Sequence, residues 1–89
     1  MHDGVERAAR GHLTRVLESD IAPDAVDLDV DLADGYGLTS LNKVVFLMAL
    51  CEDTKVSLSN FTEHDVARMR TLRDVTRAFA PHADSEVAR

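Results

Sequence analysis

Eighty-nine residues are enough for one small domain and too few for two, because domains typically need about 100 to 150 residues. A chain this short buries only about 60–65% of its unfolded surface, which leaves little room for an internal active-site cavity. The net charge of -6, from 16 acidic and 10 basic residues, argues against a nucleic-acid partner, for which a basic patch would be the footprint.

Along the chain, Val5, Ala8, Ala9, Leu13, Val16 and Leu17 recur every three or four residues. That spacing predicts an amphipathic helix from about Val5 to Glu18, with most of its charges outside the apolar stripe. Gly11 interrupts it, at a cost of about 1 kcal/mol relative to Ala. It marks either a close helix contact or nothing. Pro23 is expected to end the segment.

Residues 19–37 read as a long acidic connection in which Leu28, Val30 and Leu32 alternate with Asp27, Asp29 and Asp31. Three apolar residues at period two fit a short strand, but no second strand exists to pair with it. The expectation is an extended loop pinned to the core by alternate side chains. Gly35 and Gly37 then break regular structure ahead of Ser40.

From Ser40 to about Asp53 the apolar residues return at helical spacing, and Val44 to Cys51 are consecutively apolar. A helix apolar on more than one face is either central or presents apolar surface to a partner. In so small a domain some of Leu41, Val45 and Met48 are expected to face outward. Ser40 falls in the first turn, where unpaired amides and the positive end of the helix dipole favour a bound phosphate.

Beyond it, Thr62-Glu-His-Asp65 has capping-box spacing and opens a short helix containing Val66 and Met69. Thr71-Leu-Arg-Asp74 repeats the pattern and opens a last helix with Leu72, Val75, Ala78 and Phe79 inward. Pro81 is expected to terminate that helix, leaving residues 82–89 as a flexible tail. The fold class is all-α: a small four-helix bundle of three main helices and one short one, with a long first loop. It forms a single domain over 1–89, with an ordered core of about 5–80.

Several chemistries are excluded by spacing. Asp27-x-Asp29-x-Asp31 begins like a calcium loop, but Leu32 and Leu38 stand where that loop needs its Gly and its bidentate Glu. His2, His12, His64 and His82 are scattered and read as structural or solvent-facing. The hydrolase elbow needs Gly two residues either side of the serine, and Leu38 and Asn42 flank Ser40 there. The lone Cys51 cannot close an internal disulfide and reads as a small, partly buried side chain. Met1-His-Asp-Gly lacks the charged and apolar segments of a signal peptide, and no apolar stretch reaches the about 20 residues that span a membrane. A cytoplasmic protein is the expectation.

Gly37-Leu-Thr-Ser-Leu41, followed by a helix ending in Met48-Ala-Leu-Cys-Glu52, resembles the acyl carrier protein family. There a Gly-hydrophobic-Asp-Ser-Leu motif opens the second helix, and its serine bears 4′-phosphopantetheine. The resemblance spans roughly residues 5 to 80, including the long acidic loop, the Val56-Ser-Leu58 link, the short third helix and the Thr71-Leu-Arg-Asp-Val75 start of the last. It implies that Ser40 is the attachment point for 4′-phosphopantetheine, moved from coenzyme A by a phosphopantetheinyl transferase. The arm's thiol would then hold acyl or aminoacyl groups as thioesters for loading and downstream synthase enzymes. The protein itself would catalyse nothing and act as a monomer.

Thr39 replaces the family's usual Asp before the serine. Asn42, Lys43 and Val45 stand where members from fatty acid synthesis carry carboxylates, leaving Glu52 and Asp53 at the far end. Charged rims mostly set encounter rate and partner choice. The resemblance therefore implies a dedicated pathway, such as polyketide, nonribosomal peptide or hybrid assembly. It makes Thr39, Leu41, Asn42, Lys43, Val45 and Met48 the expected partner-binding residues. The competing class is a helical interaction module that has the fold and never receives the arm.

Overall fold

A computed structural model describes residues 3–18 and 20–87, with side chains for 4–18 and 20–82. It is all-α. Three main helices, α1 (Asp3–Leu17), α3 (Ser40–Thr54) and α5 (Leu72–Val87), are joined by two short ones, α2 (Leu32–Tyr36) and α4 (Glu63–Arg68). Single 3₁₀ turns at Pro23–Ala25 and Leu58–Asn60 complete the order, and no strand is present among the described residues.

Helix α1 packs on both α3 and α5. Its buried stripe is Val5, Ala9 and Leu13, spaced by four as helical geometry requires. From α3 come Phe46, Leu47, Leu50 and Cys51, and from α5 Leu72, Val75 and Phe79. Val26, Leu38, Val56 and Met69 close the core from the connections. No described polar or charged residue is buried. A Cβ at Gly11 would meet nothing within 4 Å, so this glycine marks no close helix contact. Helix α1 stops well before Pro23: Glu18 turns left-handed (φ 51°) directly after Leu17.

The first connection departs from the extended loop expected of it. Residues 32–36 form α2, because the Asp31 carboxylate accepts hydrogen bonds from the Ala33 and Asp34 amides, both at 2.9 Å. This cap organises one helical turn. Gly37, at φ 71°, ends it by donating to the Ala33 carbonyl. Gly35 sits inside α2 against Val30, whose side chain occupies the space a Cβ would need. Of the alternating trio only Leu32 is buried; Leu28 and Val30 are half-buried.

The pins are chiefly polar. Arg10 on α1 donates to the carbonyls of Pro23 and Val26. Arg73 grips the Asp29 carboxylate at 2.6 and 3.2 Å, and its amide donates to the Leu28 carbonyl. The Leu32 amide donates to the Arg70 carbonyl at 2.8 Å.

Both expected caps form. Thr62 and Asp65 exchange hydrogen bonds at 3.0 and 3.1 Å, opening α4. Thr71 and Asp74 do the same at 3.1 and 3.2 Å, opening α5. Pro81 does not end α5, which runs through it to Val87. A proline removes the hydrogen bond to the residue four before it, here Arg77. Both Arg77 and Pro81 are exposed, so the lost bond lies on the outer side of α5. The next residue, His82, meets the Phe61 ring edge-on at 5.4 Å, and Phe61 in turn lies 4.9 Å from Phe79. The expected tail thus begins as helix, and its last two residues, Ala88 and Arg89, lie outside the described residues.

Candidate attachment site at the start of α3

Thr39 sets the start of α3. Its backbone is extended (φ -76°, ψ 165°), and its hydroxyl accepts from the Asn42 amide at 3.1 Å. Its carbonyl accepts the first helical bond, from the Lys43 amide, at 2.8 Å. The first amides of a helix have no intrahelical partner. Thr39 satisfies that of Asn42, leaving those of Ser40 and Leu41 at the solvent-facing end. Ser40 is exposed, and its hydroxyl is hydrogen-bonded to no described residue. Nothing bonded to it acts as a base, so its arrangement is that of an accessible alcohol beside a positive helix end.

One face of α3 is turned outward. Leu41 is 73% exposed, Val44 43%, Val45 47% and Met48 51%. Spaced by three and four, they make a single apolar stripe running away from Ser40. The opposite face supplies Phe46, Leu47 and Leu50 to the core. The excess of apolar residues in this helix therefore divides between a buried and an exposed stripe.

Of the expected partner-binding residues, Thr39, Leu41, Val45 and Met48 are exposed along or at the head of this stripe. Asn42 and Lys43 are half-buried on opposite flanks. Asn42 lines the groove between α3 and α1, with Arg7, Arg15 and Glu52 on its borders. Lys43 lines a slot toward α4, with Leu38, Met69 and Arg70. Burial lowers the Lys43 pKa from its ordinary value, Asp31 opposes that shift, and Arg70 adds to it. Val44 was not among the expected residues. Its spacing, three after Leu41 and four before Met48, was the signal for it.

Other candidates resolve into supports. Asp29 is held by Arg73, and Asp31 by two amides and the Arg70 guanidinium. His12 Nε2 meets Asp53 Oδ2 at 2.9 Å, tying α1 to the end of α3. His64 is exposed, and His2 lies outside the described residues. Cys51 is 7% exposed, and burial pushes its thiol pKa up. Among the described residues no three His, Cys, Asp or Glu are grouped to hold a metal, and no helix is long and apolar enough to cross a membrane.

Compared with known proteins, the chain matches no family model, no curated protein and no solved structure.

Proposed function

We propose that this chain is a carrier protein, with Ser40 the attachment point of a 4′-phosphopantetheine arm that holds acyl or aminoacyl groups as thioesters. The observation that carries this reading is the exposed Ser40 hydroxyl in the first turn of a 15-residue helix capped by Thr39. A phosphodiester there meets two unpaired amides and the positive end of the helix dipole. The side chains around it offer no base and leave the chemistry to the arm and its enzymes. The protein works in the cytoplasm as a monomer, without nucleic acid or membrane.

The stripe of Leu41, Val44, Val45 and Met48 supports the choice of partners. It lies beside the serine, where a phosphopantetheinyl transferase, a loading enzyme and a downstream synthase must each approach. Between Ser40 and Cys51 the helix carries no carboxylate. Docking there relies on apolar contact more than on charge, which favours dedicated partners of a polyketide, nonribosomal peptide or related pathway over those that read an acidic helix.

An unmodified helical interaction module would use the same stripe, and one measurement separates the two. The protein is incubated with coenzyme A and a broad-range phosphopantetheinyl transferase, and its intact mass is recorded. One added phosphopantetheine, absent from Ser40→Ala, is expected. No addition, under conditions that modify a control carrier, leaves the interaction module as the reading.

A further inference from the structure

One turn along α3 from Ser40, at Lys43, a slot of about 240 Å³ opens between α3, α2 and the junction of α4 with α5. Leu32, Leu38 and Met69 form its apolar walls, Lys43 and Arg70 are the cations that line it, and Asp31 and Asp34 are its acids. Lys43 follows Ser40 by three residues, so the two side chains are surface neighbours on one helix.

Lys43 is half-buried, yet no hydrogen bond or ion pair ties its ammonium to a described residue. Of the carboxylates around it, Asp34 is exposed, and Asp31 and Asp74 accept hydrogen bonds from other groups. Asp31 accepts from the Ala33 and Asp34 amides and from Arg70. Asp74 accepts from the amides of Arg70 and Thr71. A partly desolvated cation without a close partner is unfavourable by itself and favourable once an anion arrives. Arg70, bound to Asp31 and otherwise 70% exposed, keeps further donors free at the same mouth.

We propose that this slot receives an anionic group borne by the arm on Ser40, held by Lys43 and Arg70, and so favours that group over a plain alkyl end. The inference rests on the carrier reading. Two parts of a loaded arm have the required chemistry: the phosphodiester at its root, and a carboxylate or phosphate on the cargo at its tip. An uncharged alkyl chain entering the slot would strip water from Lys43 and give nothing in return.

The test uses four forms of the full chain: unmodified, bearing the bare arm, bearing butyryl and bearing succinyl. The last two cargoes share a four-carbon length and differ in a terminal carboxylate. Lys43 side-chain signals, assigned from their loss in Lys43→Gln, are followed by NMR through a pH titration. An anion in the slot raises the Lys43 titration midpoint by about one unit or more. A rise already present with the bare arm identifies the phosphodiester, and a rise confined to the succinyl form identifies the cargo. The same form should melt higher than its reference in the parent and in Lys43→Arg, and lose that advantage in Lys43→Met. A Lys43 midpoint identical in all four forms overturns the proposal. That failure is distinct from failure of the carrier reading, which shows earlier as the absence of any added mass.

Discussion

Replacing Thr39 tests whether the start of α3 is built as described. Thr39→Ala removes a single hydrogen bond, the 3.1 Å contact from the Asn42 amide. An N-cap of this kind is worth about 1 kcal/mol. For a domain of this size that is a fall of roughly 4–8 °C in thermal midpoint. Thr39→Asp is the informative partner, because it keeps an acceptor at the cap and adds a negative charge at the helix N-terminus. That charge contributes about 0.3–1 kcal/mol at low salt. Lys43, four residues on, adds a few tenths through an i,i+4 pair. The expected order of midpoints, from thermal unfolding followed by circular dichroism at low ionic strength, is Asp at or above Thr, and Thr above Ala. If Thr39→Ala melts with the parent, the cap contributes nothing. If Thr39→Asp falls with Thr39→Ala, the amide end of α3 is not the positive site on which the phosphate argument depends.

Pro81→Ala should raise the midpoint, by at most the about 3 kcal/mol that a mid-helix proline costs, since the Arg77 carbonyl regains an amide; a lower midpoint would show that α5 does not continue past it. Asp29, Asp31 and Asp65 have pKa values held below the usual 3.8, first by the Arg73 side chain, the Asp34 amide and the Thr62 amide respectively. Their folded-state values are the lower ones, so their contribution is complete above the unfolded value and is lost as pH falls below 3.8. Midpoints measured from neutral pH downward should drop in that window, and Asp29→Asn should flatten the drop; an acid limb identical to the parent's counts against the Asp29–Arg73 pair. The Cys51 thiol, buried and with its pKa raised, should react with iodoacetamide far more slowly in native protein than in denaturant. Equal rates in the two conditions would place it outside the core.

What could be read from the residues followed the strength of local signals. Helices α1 and α3 and the two Thr–Asp boxes were legible because apolar period and cap coincide in each. Helix α2 was not, since five residues show no period and both glycines read as breakers. Its cause, the Asp31 cap, was hidden in a run of aspartates whose alternation with Leu28, Val30 and Leu32 argued for extended chain. Pro81 departs from the pattern for a different reason. A proline ends a helix when its lost hydrogen bond is costly, and that depends on which side of the helix the bond lies, which a one-dimensional pattern does not contain. At the candidate site, Ser40 in a first turn and the outward Leu41, Val45 and Met48 were visible as an excess of apolar residues. The slot was not, because Arg70 and Met69 reach it from a distant part of the chain.

The distribution of charge links the fold to the proposed docking. Several of the acidic side chains hold the scaffold: Asp29 and Asp31 bind arginines from the α5 side, and Asp65 and Asp74 cap helices. They immobilise the first loop against α4 and α5, and thereby fix where α3 begins. With the acids engaged there, the outer face of α3 is left to four apolar side chains, each exposed by 43 to 73%. Patches of a few hundred Å² are ordinary on monomers and do not by themselves force association. The proposed docking, on four side chains of one helix, would belong with transient contacts rather than obligate ones. A carrier of the kind proposed would have to meet several enzymes in turn and leave each of them, and a serine in the first turn of a capped helix beside an apolar stripe suits both demands.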